Sequence, residues 1–217
     1  MQAMVFDAYG TLFDVLSVTS LCELLFPGSG TALAVTWRSK QLQYSLLRSM
    51  MDRYADFWQV TQDALVYSTK ALQLEMTADT RAQLLDAYRT LHAFPDVKPG
   101  LTALKAKGVR LAILSNGAPA MLRSATQSAG IVDLLDEIIS VDDIKMFKPH
   151  PRVYALASER LRVTTDEIGF VSSNGWDVAG ATSAGLTAFW IQRAAAEPPE
   201  ELGYRAARVL HAITDLV

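Results

Sequence analysis

Val109-Arg110-Leu111-Ala112-Ile113-Leu114-Ser115-Asn116-Gly117 is an apolar run that stops abruptly in polar and turn residues. On one side lies Leu101 to Lys107, with a helical period ended by Gly108. On the other lies Ala118 to Ala129, ended by Gly130. A run this continuously apolar suits a strand covered on both faces rather than one half-exposed to water, and helix-strand-helix alternation is how parallel sheets are built. Four further runs read the same way: Ala3 to Phe6, Glu137 to Val141, Ile168 to Val171 and Leu186 to Ile191, with Pro151 to Leu161 as another helix. The pattern predicts an α/β fold, a Rossmann-like doubly wound parallel sheet.

Between the first and second strands the chain reads helical almost throughout. Leu33, Trp37, Tyr44, Leu47 and Met51 recur at helical spacing, as do Leu84, Tyr88 and Leu91. These faces predict an inserted helical cap domain over 15–96, with 1–14 and 97–217 forming the core. The insertion would leave after Leu12 to Val15 and return near Phe94-Pro95-Asp96-Val97, where proline breaks the pattern. Ala194 to Glu201 reads as a surface connection before a final helix.

Composition narrows the function classes. Of 217 residues, 50% are hydrophobic and 20% charged, enough apolar material to build a sizeable core. Lys and Arg number 20 against 23 Asp and Glu, without long runs of either sign, which argues against nucleic acid or anionic lipid as partner. No apolar stretch approaches the roughly 20 residues of a membrane span. A single cysteine, Cys22, allows no internal disulfide, and the first residues lack a secretory pattern, so a cytoplasmic location is expected. His92, His150 and His211 form no metal-binding spacing, and Gly28-Ser29-Gly30 lacks the rest of a phosphate loop.

In an open parallel sheet, ligands bind beyond the carboxyl ends of the strands. The polar residues there are Asp7, Ser115, Asn116, Lys148, Ser172, Ser173, Asn174 and Asp177. Each has an ordinary structural reading: Asp7 could accept turn amides, the serines could cap helices, and Lys148 could be solvated. Polar residues at every strand end together point to a site.

These residues carry a resemblance. Val5-Phe6-Asp7-Ala8-Tyr9-Gly10-Thr11-Leu12, Leu114-Ser115-Asn116-Gly117, Lys148-Pro149 and Ser172-Ser173-Asn174-Gly175-Trp176-Asp177 resemble, in order, the four motifs of the haloacid dehalogenase superfamily. Most members are phosphatases, in which a second aspartate two residues after the nucleophile serves as general acid and offers its backbone carbonyl to magnesium. Here Tyr9 stands at that position, and a phenol with an ordinary pKa of about 10 is a poor substitute. Trp37-Arg38-Ser39-Lys40-Gln41-Leu42, with Tyr44, Leu47 and Arg48, resembles the cap motif of the L-2-haloacid dehalogenases.

The resemblance implies a hydrolase that converts an (S)-2-haloacid to the (R)-2-hydroxyacid and halide, without metal or other cofactor. Asp7 would be the nucleophile that forms an ester at C2. Lys148 and Ser115 would bind the substrate carboxylate, with Thr11 and the amides after Asp7 holding substrate or oxyanion charge. Arg38 and Asn116 would receive the halide, while Tyr9, Phe57 and Trp176 wall off water. Asp177 would orient or deprotonate the hydrolytic water, or simply pair with Lys148, and Ser172 and Asn174 would position that water or Asp7. Trp37, Tyr44 and Phe57 fit ordinary core packing equally well. A homodimer is a further implication. The rival readings are a magnesium-dependent phosphatase of the same superfamily and a binding module that has kept the fold without turnover.

Overall fold

β1 (Ala3–Phe6) is buried along its whole length between two parallel neighbours, β2 (Arg110–Ser115) and β4 (Ile168–Ser172). In the computed structural model, which describes residues 1–194 and 198–217, the sheet has the order β3-β2-β1-β4-β5-β6. β3 is Glu137–Ser140, β5 is Thr187–Ile191 and β6 is Arg208–Leu210, and every pairing is parallel. From β1 the sheet grows to one side through β2 and to the other through β4. The carboxyl end of β1 is therefore the switch point, where diverging connections leave a crevice. Phe6 lies beside Ile113 and Val171, so Asp7 emerges level with the ends of β2 and β4.

The strands have the expected positions within a residue or so at their ends. The C-terminal region differs: β6 extends the sheet and a short 3-10 turn, Ile213–Leu216, replaces the expected final helix. Buried Leu210 and Ile213 explain this, since Ile213 seats against Gly100, where a β-carbon would lie 2.5 Å from Ile213 Cγ2. Residues 195–197 of the expected surface connection lie outside the described residues.

Core helices α5 (Val97–Ala106), α6 (Pro119–Ser128), α7 (Pro151–Leu161) and α8 (Gly175–Ser183) follow the crossovers. Proline starts α6 and α7, where a missing amide hydrogen costs nothing, and the His150 ring accepts from the Arg152 amide to cap α7. Four helices precede them: α1 (Thr19–Leu25), α2 (Gly30–Met50), α3 (Phe57–Ala71) and α4 (Ala78–Arg89). Asp56 caps α3 and Thr77 caps α4 through their side-chain oxygens.

The buried stripe of α2 departs from expectation. Leu33 and Trp37 are buried, but Leu47 and Met51 are 40% and 58% exposed. The stripe continues through Gln41 and Ser45, stepping by four residues, because those polar side chains are hydrogen-bonded inside. Hydrophobicity alone cannot place a buried glutamine.

Chain exit and return run side by side, Asp14 donating to His92 O at 2.8 Å and Phe94 to Leu12 O at 3.0 Å. Arg193 fastens both. Its guanidinium donates through Nε and Nη2 to Thr11 O (3.1 and 2.7 Å) and through Nη1 to Asp96 Oδ1 (2.8 Å), lying 4.1 Å from the Phe94 ring centre. Arg193→Met should cost about 2 kcal/mol by stranding the half-buried Asp96 carboxylate and the Thr11 carbonyl. Thermal unfolding should show a melting temperature lower by about 4–8 °C; an unchanged value would mean the clamp carries no stability.

Candidate active site

Asp7 is 6% exposed and held at three points. Oδ1 accepts from Lys148 Nζ at 3.1 Å, while Oδ2 accepts from Thr11 Oγ1 and Asn174 Nδ2, both at 3.0 Å. A carboxylate offers about four lone-pair positions, so one remains for a reacting carbon. Thr11 is fixed in turn, its hydroxyl oxygen accepting from the Ser173 amide at 2.8 Å. Within the loop, the Gly10 amide donates to Phe13 O and the Thr11 amide to Ala8 O. Those two amides are spent on the turn.

Behind Asp7, the Lys148 ammonium is buried between two carboxylates, the second being Asp177 Oδ2 at 2.9 Å. Burial by itself would lower the lysine pKa, but the charges of Asp177 and Asp7 outweigh it and the net shift is upward. Asp177 is wholly buried. That burial raises its pKa, against the opposing pull of Lys148. Its other oxygen accepts from the Tyr154 hydroxyl at 2.7 Å. Pairing of Asp177 with Lys148 is thus a feature of the site, and two of the three ammonium donors are committed to carboxylates.

In front of Asp7 is a narrow cavity of about 10 Å³ lined by Asp7, Tyr9, Arg38, Leu42, Phe57, Ser115, Asn116, Asn174 and Trp176. Among the described residues, two larger depressions, one beside α8 and β5 and one beside α3 and α4, contain none of the twelve residues singled out in the sequence. Arg38 reaches the loop after β1 from α2, donating through Nη2 to Tyr9 O at 3.1 Å and through Nη1 to Gln41 Oε1 at 2.8 Å. Asn174 Nδ2 also approaches Tyr9 O, at 3.4 Å. The Tyr9 ring packs against Phe57 and Tyr88, with centroids 5.7 and 6.1 Å away, and its buried hydroxyl has no hydrogen-bond partner among the described residues. Burial raises its pKa, so the phenol is neutral.

The remaining predicted residues support the walls. Asn116 Oδ1 accepts from the Lys148 amide at 2.9 Å, Ser115 Oγ from the Gly117 amide at 3.1 Å, and Ser172 Oγ from the Asn174 amide at 3.1 Å. The twelve residues thus come from the ends of β1, β2 and β4 and the segments that follow them, the segment before α7, the middle of α2 and the start of α3, but Thr11, Lys148, Ser172 and Asp177 stand behind Asp7 and do not line the cavity. Trp37 is core, its indole donating to Thr61 O at 2.8 Å. The spacing argument missed Tyr154 and Gln41. Tyr154 carries a signal, since it falls on the apolar stripe Val153, Tyr154, Ala157, Leu161 of α7, and a buried phenol seeks a polar partner. Gly180 makes room for it, because a β-carbon there would sit 2.5 Å from Tyr154 Oη.

Comparison with known proteins agrees with this geometry. A family model described as haloacid dehalogenase-like hydrolase matches residues 1–185. The (S)-2-haloacid dehalogenase of Pseudomonas sp. (strain YL) is 45% identical over 192 residues, 88% of this chain and 83% of that protein. The crystal structure of the L-2-haloacid dehalogenase RSc1362 superposes with a TM-score of 0.97 at 46% identity, covering 100% of this chain and 96% of the other. That of the L-2-haloacid dehalogenase from Xanthobacter autotrophicus with chloropropionic acid covalently bound gives 0.92 at 42% identity, with coverage of 100% and 96%.

Removing the central ammonium tests the buried triad. Lys148→Met should destabilise by about 3 kcal/mol near neutral pH, since Asp177 would be left charged and unpaired in the interior. The folded-state pKa of Asp177, already raised, would rise further, so the folded protein takes up a proton that the unfolded chain does not. Stability of the variant relative to wild type should therefore recover as pH falls and be lost as it rises through the folded pKa. Melting temperatures compared between pH 5 and 8 would show it, and a difference independent of pH would contradict this account.

Proposed function

This chain belongs to the haloacid dehalogenase-like hydrolases, and we propose that it converts (S)-2-haloacids to (R)-2-hydroxyacids and halide through an ester of Asp7. The observation that carries this reading is a rigidly held carboxylate facing a small cavity whose opposite polar wall is the Arg38 guanidinium, with a neutral phenol where a phosphatase would have its second carboxylate. The partners are the small acid and its halide.

In the first step the free lone pair of Asp7 attacks C2 from the side opposite the halogen. A carbon-oxygen bond forms, the carbon-halogen bond breaks, and the halide departs with the bonding electrons toward Arg38 and the Asn116 amide. Backside attack inverts C2. Ser115 is the cavity-lining side chain placed to bind the substrate carboxylate. Lys148 acts chiefly on Asp7 and Asp177, offsetting one of their two charges so that an anion can approach. Tyr9, Phe57 and Trp176 keep bulk water from the nucleophile. In the second step water attacks the Asp7 carbonyl carbon; the hydroxyacid leaves with an Asp7 oxygen, Asp7 regains one from water, and a proton is released. Asp177, held by Lys148 and Tyr154, stands behind that step. The proposal keeps 1–14 and 97–217 as catalytic core, 15–96 as cap, a cytoplasmic setting and a homodimer.

Tyr9 also bears on the phosphatase alternative. The backbone carbonyl that phosphatase relatives offer to magnesium here accepts hydrogen bonds from Arg38 and Asn174. A haloacid has one negative charge to neutralise, whereas a phosphoryl group presents several.

Single turnover in oxygen-labelled water, with enzyme in excess, should give hydroxyacid that is largely unlabelled and place the label on Asp7. Label mainly in the product would mean direct attack by water on C2. Asp7→Asn should abolish turnover, an amide being a far weaker nucleophile.

Halide release should also survive exhaustive chelation with EDTA and gain nothing from added magnesium. Loss on chelation with recovery on magnesium, or faster hydrolysis of a phosphate ester than of any haloacid, would favour the phosphatase reading instead.

A further inference from the structure

We infer that Gln41 is a positioning residue that holds the Arg38 guanidinium toward the leaving halide, an inference that rests on the proposed dehalogenation. Gln41 is wholly buried in the stripe of α2, one turn beyond Trp37. Its amide is held at both ends: Oε1 accepts from Arg38 Nη1 and from the Tyr88 hydroxyl, both at 2.8 Å, and Nε2 donates to Thr61 Oγ1 at 2.7 Å.

The polarity of this chain is chemically forced. Thr61 spends its only hydroxyl hydrogen on Phe57 O at 2.6 Å, so toward Gln41 it can only accept. The amide nitrogen must therefore face Thr61, and the amide oxygen must face Arg38, which can only donate. The chain from the Phe57 carbonyl through Thr61 and Gln41 thus ends by presenting one acceptor to one guanidinium nitrogen.

An arginine has many rotamers, and fixing it in advance avoids reorganisation as charge develops on the halide. Tyr9 O holds Nη2 from the core side, and Gln41 holds Nη1 from the α2 side. A neutral acceptor suits this task. It fixes the direction of the guanidinium without cancelling its positive charge, as a carboxylate in that place would.

The test is a comparison of (S)-2-chloropropionate and (S)-2-bromopropionate turnover by wild type, Gln41→Met and Gln41→Glu, with melting temperatures to establish folding. Loss of positioning should lower kcat for the chloroacid by about tenfold or more with KM changed by less than about threefold, because the halide charge exists fully only in the transition state. The bromoacid should be slowed less, chloride being the poorer leaving group. Gln41→Glu keeps the size and the acceptor but neutralises Arg38, so it should show the same chloride-selective loss. In an Arg38→Ala background, Gln41→Met should add less than about a twofold loss on the bromoacid, since residues acting as a unit are not additive. Equal slowing of both halides, a rise in KM at unchanged kcat, or the same loss with and without Arg38 would overturn the role while leaving the dehalogenase reading intact. A wild type that releases no halide from either acid would overturn that reading, and this role with it.

Discussion

The site is organised around one ammonium group buried between two carboxylates. Lys148 lies at 3.1 Å from Asp7 and 2.9 Å from Asp177, with almost no contact with water. Removing charge from water is costly, and the cost is offset here only because each charge has a partner and a hydrogen-bonding shell. Tyr154 and Asn116 belong to that shell, the first donating to Asp177 and the second accepting from the Lys148 amide. Gly180 belongs to it as well, being the residue whose missing side chain admits Tyr154. Packing of α7 against α8 thereby bears on how Asp177 and Lys148 are held behind Asp7.

The parallel sheet makes this arrangement possible. Asp7 follows β1 at the level of Leu114 and Ser172, with Ser115 one residue further on, so three loops converge without any one having to be long. Thr11 and Asn174 cross between loops to hold Asp7, and Arg193 fastens the Thr11 carbonyl to Asp96 where the chain returns to the core. A carboxylate supported on so many sides has little conformational freedom left to lose.

Opposite this polar floor, α2 and α3 supply an arginine set in an aromatic wall. Arg38 meets the floor through the Tyr9 carbonyl, while Tyr9 and Phe57 line the cavity with rings and Tyr88 backs Tyr9. Electrostatic interactions strengthen where water is excluded, so the rings around Asp7 also strengthen the field of the guanidinium. Tyr9 bears on both sides of the chemistry: its side chain adds no charge, and its backbone carbonyl is occupied by Arg38 and Asn174.

Much of this was legible in the chain itself. Strands β1 to β5 could be read because buried parallel strands are continuously apolar and end in polar residues, and those same endings marked Asp7, Ser115, Ser172 and Asp177. Arg38, Phe57 and Trp176 were legible through family resemblance, since nothing in a helical period separates a ligand-facing side chain from packing. Only the tertiary structure decided that Lys148 is spent between two aspartates, because that depends on distances between loops far apart in sequence. It also decided that α2 buries Gln41 and Ser45 and exposes Leu47, with Met51 exposed just past its end, and that the C-terminus adds a strand. A buried amide looks like a surface residue until its partners are known, and a three-residue edge strand is too short to carry a period. The sequence by itself determined which chemical groups stand at the strand ends, while their pairing, and hence which face substrate and which support, was decided by how separate loops meet in space.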